Sequence, residues 1–295
     1  MSLKFGFDLN EALKREEVEY SVLVNLRNSD IPGMPTCITD HQLLMFFRAC
    51  RRDFEVTRTV IQAYYEHKRS TPEFFSNRNP LAEEIQQCLD NQIYCSLPVT
   101  PSGSSIIYHR LANSTASNYF FDNAIKTFLM TMDACLHTDG PRPGIIFLFD
   151  MTHVSIFHLT RINLKSIKKF FHYVNYCLPA QLDEVHVLNT VRFFDRVLML
   201  IKPFIREGGL QKIILHRATD DYETLLKDKI PLSCLPSDFG GELESVEELN
   251  QKFRKELVEL KDFFESEEKQ WNESMSLNDE KKIDLNQNVD NEAID

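Results

Sequence analysis

The chain has 295 residues and a net charge of −11, with 43% hydrophobic and 26% charged residues. This balance suits one large globular domain, or a domain with a smaller helical attachment, and excludes collagen-like, coiled-coil and wholly disordered chains. The acidic charge argues against nucleic acid as a partner, and no apolar run is long enough to predict a membrane-spanning helix.

The first residues carry no apolar signal core, which predicts a cytoplasmic protein. Seven cysteines, Cys37, Cys50, Cys88, Cys95, Cys135, Cys177 and Cys234, form no CxxC pair. Reduced thiols and no zinc site are the expectation.

The region up to about Phe75 reads as helical. Leu43, Leu44, Phe46 and Phe47 precede Val56, Val60, Ile61, Tyr64 and Tyr65, five residues on one face at a 3.6-residue period. Pro72 closes this helix or the turn after it. The middle of the chain alternates. Strand-like runs at Ser105–Arg110, Ile145–Phe149, Val185–Leu188 and Lys212–Leu215 are separated by helical stretches at Asp122–Leu136, Leu164–Cys177 and Val191–Ile205. Such alternation predicts an α/β layer fold. Gly144–Asp150 is apolar on both alternate faces, as a central buried strand should be.

The stretch Val191–Ile205 has an apolar face of Phe193, Phe194, Val197, Leu198, Leu200 and Ile201. Arg192, Asp195, Arg196 and Lys202 lie opposite, and Pro203 ends the run. An ordinary helix packed on a sheet and a cover over an apolar cavity fit this pattern equally. A last helix begins at Ser245, where Ser245 and Glu248 suit a capping box. Its stripe of Val246, Leu249, Phe253, Leu257, Leu260 and Phe264 either packs back on the domain or seeks a partner helix. From Glu265 onward ten acidic residues face three lysines, so the end, from about Ser274, reads as a disordered acidic tail.

Signatures of catalysis are missing: there is no GxSxG elbow, GxGxxG or P-loop turn, or HExxH helix. Asp150 at the end of the central strand reads as a turn cap. His153, His158, His172, His186 and His216 are scattered without metal-ligand spacing. No catalytic residue, metal site or cofactor is predicted.

Several segments resemble the CRAL-TRIO (Sec14-like) lipid-binding family. Leu43-Leu-Met-Phe-Phe-Arg-Ala-Cys50 continuing to Tyr64-Tyr65 is similar to its N-terminal helical module. Leu178-Pro179 followed by Val185-His-Val-Leu-Asn189 resembles the family's "P…ihliN". Ile201-Lys-Pro-Phe204 resembles "KPF", Lys212-Ile213 to His216 resembles "RIxxH", and Leu235-Pro-Ser-Asp-Phe-Gly-Gly241 resembles "LPxeyGG". These occur in the family's order from about residue 40 to 260. The branch resembled is that of the α-tocopherol transfer and retinaldehyde-binding proteins, with insect-type members nearest.

The resemblance implies an N-terminal helical module over 1–80, an α/β lipid-binding domain over 81–262 and an acidic tail over 263–295. It implies a sheet floor, flanking helices and a mobile gate helix over an apolar pocket. The gate is then Val191–Ile205, with Phe193, Phe194, Val197, Leu198 and Ile201. Phe170, Tyr173, Val174 and Leu178 would form the wall, and Ile146, Leu148 and Val187 the floor. Tyr173, Ser155 and Thr131 are the candidates for polar selectivity.

Basic residues that hold phosphoinositide headgroups in some relatives are replaced here by Gln181-Leu-Asp-Glu184 and Gly208-Gly-Leu210. Lys202, Arg206, Lys212 and Arg48 remain as candidate contacts to phosphoinositide or a transient membrane surface. The function implied is a monomeric, non-catalytic carrier that binds a lipophilic ligand and moves it between membranes. The alternatives are a ligand-free or phosphoinositide-responsive interaction module that keeps the fold, and an α/β enzyme with clustered titratable groups in its cleft.

Overall fold

The computed structural model describes residues 3–222, 226 and 229–272. Helices α1 (Leu9–Arg15), α2 (Tyr20–Arg27), α3 (Asp40–Ala49), α4 (Phe54–Ser70), α5 (Pro72–Phe75) and α6 (Glu83–Asn91) come first. Local chemistry sets several of their ends. The Thr39 hydroxyl accepts from Gln42 N–H while Gln42 Oε1 accepts from Thr39 N–H, a capping box that starts α3. Asp53 caps α4 through Val56 N–H at 2.9 Å, and Pro72 opens α5 at the first position, where its missing N–H costs nothing.

A five-stranded sheet follows: β1 (Gln92–Leu97), β2 (Ser105–Leu111), β3 (Ile145–Asp150), β4 (Leu182–Leu188) and β5 (Ile213–Leu215), in that spatial order. β1 is antiparallel to β2, and the remaining pairs are parallel. The crossovers carry α7 (Phe121–Asp139), α8 (Leu164–Tyr176) and α9 (Phe194–Ile201). Strands added always in one direction by right-handed crossovers put every crossover helix on the same face. Phe128 of α7 accordingly packs on Phe147 and Phe149, and Phe194 of α9 on Val187.

The opposite face is covered by the chain after β5. Ile106, Tyr108, Ile146 and Leu148 pack there with Leu235, Phe239 and Val246, the last of which begins α10 (Val246–Glu259). The turn before α10 depends on two glycines. Gly240 has φ +78°, and a Cβ on Gly241 would stand 1.9 Å from the Leu235 carbonyl oxygen.

The alternation of strands and helices is therefore as expected, with one strand more. β1 escaped the sequence reading because Gln92-Ile-Tyr-Cys-Ser-Leu97 is buried on both faces without a clean alternation. The gate helix proper is shorter than Val191–Ile205. Phe193 is its N-cap, and a 3-10 turn at Lys202–Phe204 follows it around Pro203.

The expected tail boundary at 263 is corrected. A helix over 261–272, α11, continues the stripe of α10 and buries Phe264, Glu267 and Trp271. Its acidic composition hides one buried strip whose carboxylate is fully paired. The remainder of the predicted tail, 273–295, lies outside the described residues. The helical module and the sheet are not separate bodies: Leu43, Tyr65 and Phe75 share one continuous core with Phe128 and Phe147.

Candidate functional site

The amphipathic α9 lies along the edge of the sheet formed by β4 and β5. Phe194 is only 6% exposed and sits with Met151 and Val187. Val197 and Leu198 pack partly buried beside Ile213, and Phe193 and Ile201 are also partly buried. Met199 on the outer face is 73% exposed. α9 faces the sheet with the side that its sequence pattern indicates.

Polar groups hold both ends of α9. Upstream, Asn189 adopts φ +49° and donates through Nδ2 to Asp150 Oδ1 at 2.8 Å. Asp150 also accepts from Thr152 N–H at 2.8 Å and from the Tyr108 hydroxyl at 2.8 Å. This buried carboxylate is fully occupied as a turn cap, which is the structural reading of Asp150. Burial of the Tyr108 phenol, with the negative charge of Asp150 beside it, holds it far above its ordinary pKa. Thr190 Oγ1 donates to the His216 carbonyl at 2.8 Å. Downstream, Asn175 Nδ2 donates to the Phe204 carbonyl at 2.9 Å and ties the end of the gate to α8.

Next to this arrangement is a cavity of about 550 Å³. Phe171, Val174 and Leu178 of α8 and the residues after it form one wall, and Leu182, Val185 and Ile213 form the floor. Cys50, Val56 and Val60 close it from the helical module, and the segment Ile205 to Lys212 closes it on the gate side. Burial pushes the Cys50 thiol up to about 11, so it stays protonated and poorly nucleophilic. Arg51, Asp53, Gln181, Arg206 and Lys212 bring polar groups to the same cavity. Asp53 is engaged in capping α4, Gln181 Nε2 donates to the Ala49 carbonyl at 2.8 Å, and Lys212 Nζ donates to the Leu182 carbonyl.

Of the expected wall, Val174 and Leu178 line this cavity. Phe170 turns instead into the aromatic group above the sheet, 6.0 Å from Phe128. Tyr173 points the other way, into the helical module, 5.1 Å from Phe75 and 5.8 Å from His67. Val187 lies beneath the gate.

Ile146 and Leu148 are corrected: both lie on the far side of the sheet with Leu235 and Phe239. Phe147 and Phe149 occupy the gate side in their place, because Phe147 pairs with Val185 and Phe149 with Val187 across the parallel ladder. Thr131 is spent on the Thr127 carbonyl within α7, and Ser155 shares a cap with His158, so neither is among the lining residues.

Among the cations, Arg206 and Lys212 reach the cavity and Lys202 is exposed on the turn after the gate. Arg48 is corrected: its Nε pairs with Glu16 at 2.6 Å within the helical module. Arg51 stands at the cavity instead, with φ +55° just past α3. Its presence in the run Arg48, Arg51, Arg52 was the available signal.

A mostly parallel sheet with its crossover helices on one face, a short amphipathic helix along it and a cavity of this size have the form of small-molecule sites. The CRAL/TRIO domain model matches residues 90–241, and the chain belongs to that family, whose members bind and transfer lipids. A Pinta-like UBA domain model matches residues 28–85 of the helical module.

The chain is 27% identical over 225 residues to the alpha-tocopherol transfer protein-like proteins of Homo sapiens and Mus musculus, covering 76% of this chain and 64% of theirs. It is 22% identical over 207 residues to clavesin-2 of Homo sapiens, covering 69% of this chain and 62% of that one. The chain thus spans less than two thirds of the length of these relatives. In fold it is similar to the crystal structure of Sfh5, with a TM-score of 0.50 and 13% identity over 72% of this chain and 75% of that one. No helix among the described residues is long and apolar enough to cross a membrane.

Proposed function

We propose that this protein is a non-catalytic cytosolic carrier that encloses one lipophilic molecule in the cavity beside α9 and delivers it between membranes. The observation that carries this reading is the cavity of about 550 Å³ walled by Phe171, Val174, Leu178, Val185 and Ile213. Its volume falls within the range of small-molecule sites, roughly 300–1,000 Å³. The alpha-tocopherol transfer protein-like relatives favour a lipophile of tocopherol size as cargo.

The energetics are sufficient. Burying about 500 Å² of apolar ligand surface yields roughly 12 kcal/mol gross at about 25 cal/mol/Å². Association costs of about 4 kcal/mol or more still leave micromolar to nanomolar binding. Opening of α9 would control entry and release. Arg51, Arg206 and Lys212 are the groups that would meet an anionic headgroup at the donor or acceptor membrane.

The test is solvent extraction of freshly purified protein, followed by mass spectrometry against a mock purification and by uptake assays with labelled tocopherol, retinoid and phosphoinositide. A stoichiometric lipophile, or saturable uptake of one of the panel, supports the carrier. A protein that yields none and takes up none is the ligand-free interaction module.

A further inference from the structure

His67 on α4 and His172 and Cys177 on α8 and its C-cap bring three metal-ligating atoms within 4.8 Å of one another. This cluster lies outside the cavity lining, on the face of α8 turned toward the helical module. His67 is 6% exposed, and among the described residues its Nε2 is buried with no hydrogen-bond partner. A buried ring nitrogen without a partner is costly unless a ligand completes it. Cys177 is fully buried, and its thiol donates to the Ala63 carbonyl at 3.5 Å, a weak bond that metal ligation would replace. His172 is exposed, which supplies an entry path and freedom to adjust its ring. The two imidazole rings lie 5.1 Å apart at an angle of 36°.

We propose that His67, His172 and Cys177 form a three-ligand Zn²⁺ site that clasps the helical module to α8, with a fourth position open to water beside His172. Two imidazoles and one thiolate are a donor set for a borderline cation, and three protein ligands plus water complete a tetrahedron. His67 offers to the ion a ring nitrogen, Nε2, that has no other partner among the described residues. The ion displaces the Cys177 thiol proton to solvent as the S–Zn bond forms. The site joins elements that the carrier reading leaves as simple packing partners, and its test is independent of any lipid.

The chelator-stripped full chain is titrated with Co²⁺ as a spectroscopic probe and then with Zn²⁺. One equivalent should bind with a thiolate-to-cobalt charge-transfer band and tetrahedral d–d bands, and Zn²⁺ should displace it. Cys177→Ser should remove the charge-transfer band. His172→Ala should weaken affinity at least about 100-fold, because loss of an outer-shell partner alone costs about 10–100-fold. Cys37→Ser, which removes the exposed thiol, should change neither. Absence of the charge-transfer band, its survival in Cys177→Ser, or its loss in Cys37→Ser overturns the site. If Cys177→Ser does not fold, His172→Ala decides the question, since that side chain is exposed; unchanged affinity in a variant of native circular dichroism overturns the proposal.

Discussion

The two sides of α8 are built differently. Toward the helical module lies a dry cluster in which Lys68 and Arg78 meet Asp133 and Glu267. Arg78 contacts Asp133 and Glu267 at 2.5 Å each, and Lys68 contacts Glu267 at 2.5 Å. All four side chains are at most 9% exposed, and Tyr64, Phe75 and Phe264 surround the cations. Toward the gate, Phe194 is the one buried residue of α9, and few polar contacts hold the helix ends. Two cations matched by two carboxylates lock α4, α7 and α11 in one arrangement, since no partner can leave without stranding another in low dielectric. A helix resting on a small apolar cluster opens at far lower cost. The molecule therefore combines a tightly paired polar clasp with a helix that rests on a much smaller apolar cluster.

The largest effect should come from breaking the clasp. Glu267→Ala leaves two buried cations against one carboxylate and should cost about 3–5 kcal/mol in denaturant unfolding. A loss below about 1 kcal/mol would mean that the cluster is wetter and looser than the structure has it.

On the gate side the expected effect is on ligand and not on stability. Val197→Asp places a carboxylate on the inner face of α9. It should lower lipid transfer about 100-fold, near 2.7 kcal/mol, while unfolding shifts by about 1 kcal/mol or less. Unchanged transfer by a folded variant would remove α9 from the role of gate.

The smallest effect sharpens the contrast further. Asn175→Ala removes the tether to the Phe204 carbonyl and should release bound lipophile about fivefold faster, corresponding to about 1 kcal/mol. Equilibrium unfolding should stay nearly constant. An equal loss of global stability would show that gate and clasp act as one cooperative unit.

Much of this was legible along the chain. The parallel strands, the crossover helices and the Ser245 capping box follow from local periodicity and end chemistry, and the bond from Ser245 N–H to Glu248 Oε2 at 3.0 Å is as its spacing predicts. The amphipathic face of the gate was readable because one side of α9 meets solvent. Where both sides of an element are apolar, that signal vanishes. Ile145-Ile-Phe-Leu-Phe149 offers no hint of which alternate residues face the gate, so Ile146 and Leu148 were assigned to the wrong side. Tyr173 suffered likewise, because α8 is packed on both flanks, against the sheet and against the module.

The sequence by itself determined the parallel strands and the helices between them, the family to which the chain belongs and the inward side of α9, because each depends on neighbours a few residues apart. Only the tertiary structure decided which residues of β3 face the crossover helices, that Arg51 and not Arg48 stands at the cavity, and that the acidic segment starts in a helix anchored by Glu267. It alone brought His67 to His172 and Cys177. These outcomes depend on how whole elements dock, and docking is set by the sum of many distant contacts that leave no periodic trace along the chain.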